Sequence, residues 1–526
     1  MKTLTLDQGS LAFADVLDFS LNRDHYRAVT VSAHARERVE ASHARLQTLL
    51  EQKIPIYGVT TGFGDSCTRP VSLEHSEQLQ ANLVSYLLCG TGPLLPVEAA
   101  RATFLVRLNS LSRGYSGVSW ELVDRMRLFL ENDWVPAIPQ EGSLGASGDL
   151  IPLAYLAQIL QGEGRVYDKE RLRPTAEVLY EKGLMPYRLK PKEGLALVNG
   201  TSTMAGLFMV NWSQSQFLVK LASLSTAWLC LVLKGRGEPF GALVNERAKT
   251  SPGQKRVAKT VRRLLQEEGH TNKPLTQFRE QDGRIEQVQD RYSLRCTPQI
   301  LGPVFETLDL CKTWLQAEID SVSDNPLIGD EGELQMGGNF YGGYLSQGTD
   351  YLKISLAQIA DLIDRQLMSL VDEKSNRGLP PNLAAWNTLP ESERFLHHGL
   401  KGLHQAVSAI TSEILARATP NSIFSRSSES HNQDKVSLGM SASVQCQSML
   451  EPLFTISSMY LICLAQALDL RGIKLQGHDS SFLYSEIRAL VPFVSHDQPL
   501  EKYVVLVREK MKNWSKNPDF LKEMSL

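Results

Sequence analysis

Apolar residues recur at helical spacing over most of this chain. The segment 352–372 has one apolar face without Pro or Gly, formed by Ile354, Ile359, Leu362, Ile363, Leu367 and Leu370. The same spacing predicts helices over 31–53, 76–89, 97–132 with a break near 114–117, 150–161, 202–234, 303–323, 350–373, 399–418 and 437–470. Pro452 is expected to kink or divide the last of these helices.

The remaining segments are richer in turn-forming residues. Residues 163–198 mix Gly, Pro and short β-like runs, and we expect the few strands there. Loops are predicted at 235–255, 269–300, 324–349 and 374–392. The pattern indicates a mainly α fold, a long central helix bundle with a smaller mixed N-terminal region. We predict an N-terminal domain over 1–200 and a domain of long helices over 201–526, with function on loops that the helices hold.

Composition narrows the class of protein. The 526 residues are 42% hydrophobic and 21% charged, which is ordinary for a soluble globular protein. The net charge of −3 argues against nucleic acid as a partner. The N-terminus lacks an apolar signal core, and the most apolar run, 221–233, is too short to span a membrane. Seven cysteines without a Cys-x-x-Cys pair indicate reduced thiols and a cytoplasmic protein.

One tripeptide has the composition of a self-forming electrophile. If the backbone nitrogen of Gly148 attacks the Ala146 carbonyl, loss of water, including the Ser147 hydroxyl, leaves a ring with a methylidene group. An electrophile of this kind suits the removal of an amine from an unactivated amino acid. A covalent intermediate replaces one step of high activation energy with two steps of lower activation energy. Glycine at position 148 permits the tight turn that the attack needs. The alternative is that Ser147 or Asp149 caps a helix that begins near Leu150.

Other polar residues are candidates for chemistry when they are considered together. Tyr57 opens a glycine-rich loop and is a candidate general base if its pKa is lowered. Arg295 is a candidate for bidentate binding of a carboxylate. Each also has an ordinary explanation: Tyr57 could simply pack beside a turn, and Arg295 could form a surface ion pair. Asn199 precedes Gly200, as in a simple turn without a function. Further turn or capping signals lie at 325–326, 337–340 and 431–434.

Motifs of other enzyme classes are missing from the sequence. It contains no phosphate-binding Gly-x-x-x-x-Gly-Lys-Ser/Thr loop and no Gly-x-Ser-x-Gly elbow, and the glycines of 58–64 lack dinucleotide-loop spacing. No His-Glu-x-x-His motif or matching acidic partner accompanies the three clustered histidines, so we predict no metal site. These histidines are His397, His398 and His404.

Six short motifs occur together and in order over about residues 20 to 480. They are 57–64 (YGVTTGFG), 145–150 (GASGDL), 199–201 (NGT), 289–295 (QDRYSLR), 324–327 (DNPL) and 337–340 (GGNF). Each motif alone is weak, but the ordered set is specific. It resembles the aromatic amino acid ammonia-lyases and aminomutases, the family of histidine, phenylalanine and tyrosine ammonia-lyases.

The resemblance implies a cofactor, a fold and an assembly. The cofactor is a 4-methylidene-imidazole-5-one ring (MIO) formed from Ala146, Ser147 and Gly148, without a metal or nucleotide. The implied fold is mainly α and L-aspartase/fumarase-like, with the base loop and the tripeptide in 1–200 and the long-helix bundle and C-terminal helices in 201–526. The implied assembly is a homotetramer whose active sites are shared between subunits.

The resemblance also implies roles for single residues. Tyr57 would take the β-proton, and Asn199 and Gln289 would position the ring and the amine. Tyr292 would be a second tyrosine near the ring. The residues that would bind the substrate carboxylate or line the pocket are Arg295, Asn325 and Phe340. A fixed carboxylate and amine leave the side-chain pocket to select the substrate.

Three positions bear on that selection. Histidine lyases of this family tend to carry Ser-His where this chain has Tyr86-Leu87, phenylalanine lyases Phe-Leu, and one group of tyrosine lyases His-Leu. Leu87 therefore indicates an apolar aromatic ring, and Tyr86 either packs on the ring or meets a para-hydroxyl. Gln433 replaces the glutamate of histidine lyases. Lys435 is unusual beside this motif and would disturb the aromatic assignment if it entered the pocket.

The function implied is elimination of ammonia from an aromatic L-amino acid, phenylalanine or tyrosine, to give cinnamate or coumarate. The alternatives are an aromatic 2,3-aminomutase, which makes a β-amino acid, a histidine ammonia-lyase, and a non-catalytic helical scaffold. The expected partner is a small aromatic amino acid, without nucleic acid or membrane.

Overall fold

The computed structural model describes residues 1–7, 10–169, 171–272, 274–281, 284–285, 288–517 and 520. The fold is mainly α, which confirms the predicted class. The helices are α1 (Phe13–Leu21), α2 (Ala33–Glu51), α3 (Ser76–Leu87), α4 (Val97–Ser112), α5 (Trp120–Glu131), α6 (Ile151–Leu160), α7 (Thr175–Glu181), α8 (Glu193–Val198), α9 (Ser202–Val232), α10 (Pro252–Glu267), α11 (Tyr292–Arg295), α12 (Thr297–Ile319), α13 (Gly343–Val371), α14 (Lys401–Ala416), α15 (Gly439–Arg471), α16 (His478–Leu490) and α17 (Glu501–Lys516).

The strands are short and form small, separate sheets. They are β1 (Lys2–Leu6), β2 (Tyr26–Val31), β3 (Thr91–Leu94), β4 (Trp134–Pro136), β5 (Pro139–Glu141), β6 (Arg165–Asp168), β7 (Arg171–Pro174), β8 (Glu280–Gln281), β9 (Arg284–Ile285), β10 (Leu327–Ile328) and β11 (Leu334–Gln335). β1 and β2 pair in parallel, with Leu4 opposite Val29. The other pairs are antiparallel: β3 with β5, β6 with both β4 and β7, β8 with β9, and β10 with β11.

The chain divides into two compact units, each built from separate stretches of sequence. The first unit comprises Met1–Trp212, Leu310–Asp350 and Pro420–Gln445, and the second comprises Ser213–Asp309, Tyr351–Thr419 and Cys446–Leu526. The division of the chain into domains 1–200 and 201–526 stays a prediction.

An apolar cluster in the first unit supports the loop that carries Tyr57. It joins Leu46 and Leu50 of α2 to Ile56 and Val59, which flank Tyr57, and to Ile328 of β10. All five residues are buried. Apolar burial of this kind stabilises each side chain by about 1.5–3 kcal/mol, so it holds both ends of the loop close to the protein interior.

Two of the helices, α9 and α15, are both long and apolar. By length and composition α9 and α15 are each able to cross a membrane, whereas the sequence prediction takes the most apolar run as too short. However, 89% and 83% of their most apolar windows are buried inside the protein. Burial of this kind is typical of core helices, which can be apolar on every side.

Pro452 does not divide α15, and the predicted kink there stays a prediction. A proline removes the hydrogen bond to the carbonyl four residues earlier, which here belongs to Ser448. Arg417 Nη1 donates to that carbonyl at 2.7 Å. The freed acceptor is therefore satisfied by a side chain, and the helix continues.

Several element boundaries also differ from the predictions. The strands are not confined to 163–198, because β1 to β5 precede that segment. α13 begins at Gly343, inside the predicted loop 324–349, and α10 begins at Pro252, inside the predicted loop 235–255. Proline at a first helical position costs nothing, because the missing N–H has no partner within the helix.

Candidate active site

A cavity of about 860 Å³ opens in the first unit and gathers most of the predicted site residues. It is lined from the Tyr57 loop, the end of α3, the tripeptide loop, the segment 325–341 and the segment 428–435. The predicted residues on its wall are Tyr57, Tyr86, Leu87, Ala146, Ser147, Asn199, Asn325, Phe340 and Gln433. Gly148 is buried beside Ser147.

The tripeptide loop is held from two sides by backbone hydrogen bonds. On one side, Asp149 N–H donates to the Gly200 carbonyl at 2.6 Å and Leu150 N–H donates to the Val198 carbonyl at 3.2 Å. On the other side, Ser437 donates to the Gly145 carbonyl from its backbone N–H at 3.0 Å and from its hydroxyl at 3.1 Å. The loop is therefore fixed without regular secondary structure of its own.

Glycine is required at position 148 for two reasons. Its φ of +76° lies in the left-handed region that other residues avoid. A Cβ at this position would also lie 2.1 Å from the Gly200 carbonyl oxygen, far inside van der Waals contact. The backbone of residue 148 can therefore approach residue 200 only without a side chain.

The two atoms that cyclisation would join have no competing partners. Within the described part of the chain, the Gly148 N–H donates no hydrogen bond and the Ala146 carbonyl accepts none. Neighbouring side chains hold Ser147 instead: Asn199 Nδ2 donates to its carbonyl at 3.1 Å, and Gln433 Nε2 donates to its hydroxyl at 3.2 Å. These residues fit the precursor of an MIO ring, because the reacting nitrogen and carbonyl are unengaged while the residue between them is fixed.

Asp149 caps a helix, although not the helix expected from the sequence. Its carboxylate accepts the N–H of Thr203 at 2.5 Å and that of Met204 at 3.1 Å, both in the first turn of α9. α6 begins at Ile151 without any side-chain cap. Complete burial raises the pKa of Asp149 to about 7, despite these hydrogen bonds and the positive charge of Arg107.

Tyr57 lies on the cavity wall with its hydroxyl already engaged. The Gly64 N–H donates to the Tyr57 hydroxyl at 2.8 Å, and the carboxylate of Glu429 covers Gly64 so closely that no Cβ would fit there. Burial raises the pKa of Tyr57, and the nearby charge of Glu429 raises it further. The lowered pKa on which the sequence interpretation depends is therefore not found, because the Gly64 hydrogen bond only partly offsets burial.

Two asparagines present unused polar atoms. Asn199 is buried, and its Oδ1 has no hydrogen-bond partner among the described residues. Asn325 accepts the Gly337 N–H on its Oδ1 at 2.8 Å, and no described residue accepts a hydrogen bond from its Nδ2. A buried unpaired acceptor costs about 1–3 kcal/mol unless a ligand satisfies it, so Asn199 fits a ligand that carries N–H donors.

Buried charges behind the cavity hold these asparagines. Arg107 is buried in α4 and donates to the Asn199 carbonyl at 2.8 Å from its Nη2. Lys192 Nζ and Asp324 Oδ2 form a fully buried ion pair at 2.6 Å. Asp324 Oδ1 accepts the backbone N–H of Asn325 at 2.7 Å. Sequence reasoning missed these residues, although an arginine within the apolar run of α4 was a usable signal.

The aryl-pocket candidates lie at the end of α3. Tyr86 and Leu87 line the cavity together with Leu83. Burial by surrounding atoms raises the pKa of Tyr86 to about 12, and the charge of Glu429 contributes. Lys435 also lies on the cavity wall. It is the residue that we expect to disturb the assignment of an aromatic substrate if it enters the pocket. Glu429 had no distinguishing signal in the sequence.

Three predicted site residues lie in the second unit instead. Gln289, Tyr292 and Arg295 do not line the cavity of the first unit. Tyr292 is 70% exposed, and the Arg295 guanidinium lies 4.6 Å from the centre of its ring. Arg295 Nε is buried without a partner among the described residues. Tyr292 and Arg295 are therefore in contact with each other and are not among the residues that line that cavity.

Comparison with known proteins agrees with the site geometry. Residues 11–489 match the family described as aromatic amino acid lyase. The chain is 37% identical to a tyrosine 2,3-aminomutase of Chondromyces crocatus, covering 95% of this chain and 94% of that protein. It is also 37% identical to a tyrosine ammonia-lyase of Cereibacter sphaeroides, covering 90% of this chain and 91% of that protein.

A solved structure shows the same fold. The tyrosine aminomutase of Streptomyces globisporus superimposes with a TM-score of 0.89 at 31% identity, covering 100% of this chain and 98% of that one. The resemblance inferred from the six motifs is thereby confirmed. The chain belongs to the aromatic amino acid lyase family, and the class of enzyme that its sequence and fold support is a carbon–nitrogen lyase.

Proposed function

We propose that this protein eliminates ammonia from an aromatic L-amino acid, phenylalanine or tyrosine, and releases the trans-arylacrylate. The observation that carries the proposal is the tripeptide, in which the Gly148 nitrogen and the Ala146 carbonyl lack partners among the described residues while Asn199 and Gln433 hold Ser147. Closure would join that nitrogen to that carbonyl carbon and release the Ala146 oxygen as water. The Ser147 hydroxyl would leave with the Ser147 Cα proton as a second water, which creates the methylidene group. The ring, once formed, supplies an electrophile that makes the substrate amine a better leaving group.

The residues of this cavity would each have a defined task. Tyr57 would take the β-proton on its hydroxyl oxygen. Asn199 Oδ1 would accept a hydrogen bond from the substrate amine, and Asn325 Nδ2 would donate one to the carboxylate. Phe340 and Leu87 would exclude water from the aryl group. Fixing both polar ends of the substrate leaves the β-carbon beside the base, which removes most of the entropic cost of proton transfer.

We further propose that the site is completed by another copy of the chain. The predicted carboxylate ligand Arg295, with Tyr292 and Gln289, lies in the second unit and not on this cavity. A homotetramer with shared sites would bring these residues from a neighbouring subunit, and Arg295 would then bind the carboxylate bidentately. A cytoplasmic location fits the seven free cysteines.

The second candidate function is that of an aromatic 2,3-aminomutase. It is favoured by the similarity to tyrosine aminomutases, two of which are described above. Both reactions use the same electrophile and the same base. They differ in whether the amine leaves or returns to the β-carbon before the arylacrylate dissociates, which depends on how long the site stays closed.

A substrate panel with product analysis tests the proposal. The purified protein is incubated with phenylalanine, tyrosine, histidine and dihydroxyphenylalanine, and products are followed by near-ultraviolet absorbance and mass spectrometry. We expect the arylacrylate and ammonia as main products and no turnover by Ser147→Ala. A β-amino acid as main product would establish the mutase. Full activity of Ser147→Ala would refute the electrophile altogether.

A further inference from the structure

Lys435 is a cation of the candidate cavity that the proposed mechanism does not use. It lies on the cavity wall, is exposed, and forms no hydrogen bond or ion pair with any residue that the structure describes. Gln433 pairs with Ser428 as in an antiparallel strand and directs its amide to Ser147. Lys435 lines the same cavity as Gln433.

A second donor, Tyr86, lines the same cavity. Tyr86 is in the last turn of α3, next to Leu83 and Leu87, which give this part of the cavity an apolar lining. Its hydroxyl has no hydrogen-bond partner among the described residues. The raised pKa of Tyr86 keeps the hydroxyl protonated at neutral pH, so it remains able to donate.

The acidic residues of the cavity decide what kind of group these donors bind. Glu429 lies near enough to raise the pKa values of both Tyr57 and Tyr86, and Asp434 adds another carboxylate to the wall. An anionic ring substituent would be repelled by these charges. A neutral hydroxyl avoids that repulsion and accepts a charge-assisted hydrogen bond from an ammonium group.

We propose that Lys435, together with Tyr86, binds a hydroxyl group on the aryl ring of the substrate. This specificity role rests on the proposed function and narrows its substrate class to hydroxyphenyl L-amino acids. It also explains the unusual residue of the 431–435 segment, since an unsubstituted phenyl ring would leave the ammonium without a partner.

The role is tested by comparing tyrosine with phenylalanine in matched variants. Lys435→Met keeps the length of the side chain and removes its charge, and Lys182→Met does the same at an exposed lysine of the α7 terminus. We expect Lys435→Met to lower the ratio of kcat/KM for tyrosine over phenylalanine by about 10-fold or more, as for loss of a hydrogen bond to a charged group. Lys182→Met should leave the ratio unchanged.

Binding without turnover separates this inference from the proposed reaction. In Ser147→Ala, Kd is measured by calorimetry for 4-coumarate and for cinnamate, with and without the additional substitution Lys435→Met. Tighter binding of 4-coumarate that disappears with Lys435→Met supports the role even if the lyase reaction fails. If Lys435→Met changes neither this discrimination nor the kcat/KM ratio, the role is overturned.

An independent cluster of metal-ligating residues lies in the second unit. Donor atoms of Glu393, His397 and His496 all lie within 4.8 Å of one another, and the two imidazole rings meet edge to face at 5.0 Å. The Asp497 N–H is 3.2 Å from His397 Nδ1, and the Ser495 hydroxyl is 3.0 Å from His496 Nδ1. The Asp497 N–H donates to His397 Nδ1, and these contacts orient both rings.

The geometry points to a binding site for one divalent cation of the zinc type. Two imidazole nitrogens and one carboxylate oxygen are a donor set that zinc accepts, with a fourth position for water. The cation would join the turn before α14 to the connection between α16 and α17. The sequence did not predict it, because His496 is distant in the chain.

Titration of the metal-free protein with Zn²⁺ and Co²⁺ tests this site. We expect one saturable equivalent, a visible Co²⁺ absorption band and a higher Tm with Zn²⁺. His397→Ala and His496→Ala should each abolish all three, whereas His404→Ala in α14, outside the cluster, should change none. Absence of saturable binding, or binding that survives both alanine variants, would overturn the assignment.

Discussion

The side-chain amide of Gln433 donates a hydrogen bond to the hydroxyl of Ser147 at 3.2 Å, although 286 residues separate them. The hydroxyl that closure of the ring must expel is therefore held by a neutral donor. A hydrogen bond to the departing oxygen stabilises the negative charge that develops there. Gln433 thus belongs both to the proposed maturation of the site and to the cavity in which the substrate would lie.

Replacing the Gln433 amide with a carboxylate should change both the formation of the ring and the turnover of substrate. Gln433→Glu keeps the size of the side chain but cannot donate when ionised. We expect slower formation of the near-ultraviolet absorbance of the ring and a kcat/KM for tyrosine and phenylalanine that is lower by about tenfold or more. Gln433→Asn, which keeps the amide on a shorter side chain, is the comparison. Unchanged kinetics in Gln433→Glu would show that the contact with Ser147 has no role.

Gly148→Ala should prevent maturation and destabilise the fold. A Cβ at residue 148 meets the Gly200 carbonyl oxygen at 2.1 Å in addition to the strain of a positive φ. Gly183→Ala is a matched control, because Gly183 has a φ of +64° and nothing within 4 Å of the added Cβ. We expect about 1 kcal/mol of destabilisation for the control and several times more for Gly148→Ala, measured by urea unfolding. Equal values would mean that the close approach to Gly200 is unimportant.

Asp149 should make stability depend on pH. Its folded pKa of about 7 is raised above the ordinary value of 3.8, so the folded state binds more protons between these values. The free energy of unfolding should therefore fall as the pH rises from about 4 to about 7, and this contribution should be absent in Asp149→Asn. The substitution also removes one of the two oxygens that accept the α9 N–H groups, at a pH-independent cost of about 1–3 kcal/mol.

Unfolding curves of the two proteins at pH values from about 5 to about 8 measure the effect. Asp124→Asn, on the exposed face of α5, controls for the loss of one carboxylate. If wild type and Asp149→Asn show parallel pH dependence, Asp149 is ionised throughout the range.

Tyr57 should give the elimination reaction an alkaline dependence. A general base acts when deprotonated, and burial raises the pKa of this hydroxyl above its ordinary value of 10.0. We expect kcat/KM to rise between about pH 7 and about pH 9, by up to about tenfold for each step of one pH unit. Tyr57→Phe should retain the absorbance of the ring and lose about 10²–10⁴-fold in kcat. A flat profile with normal Tyr57→Phe activity would require another base.

Sequence reasoning found the parts of the site whose reactive groups lie close together along the chain. The tripeptide and the Tyr57 loop carry their glycines and reactive groups within a few residues, so the pattern itself indicates the chemistry. The partner of Asp149 was missed because the N–H groups of Thr203 and Met204 come from a helix that begins far later in the chain. Arg107 and the Lys192–Asp324 pair were missed because burial is a property of the folded chain.

For the fold as well, features that depend on neighbouring residues were predicted, and features that depend on distant residues were missed. Helices with a sustained apolar face, such as α13, were predicted, because helical periodicity is a local signal. Its early start at Gly343 was missed because neighbouring glycines normally indicate a turn. The parallel pairing of β1 with β2 was missed because two short strands acquire their partners only through packing. The continuity of α15 through Pro452 could not be foreseen, because the donor that satisfies the Ser448 carbonyl is Arg417, which precedes it by 31 residues.

The two hydrogen bonds from Ser437 to the Gly145 carbonyl determine when the tripeptide loop becomes anchored, as well as where it lies. A polypeptide still emerging from the ribosome has made residues 142–150 long before it has made residue 437. Until then, the reactive loop is anchored only on the side of residues 198–204. The ring would therefore form only after residue 437 has been synthesised and has packed on this loop, and chains that lack residue 437 would stay chemically inert.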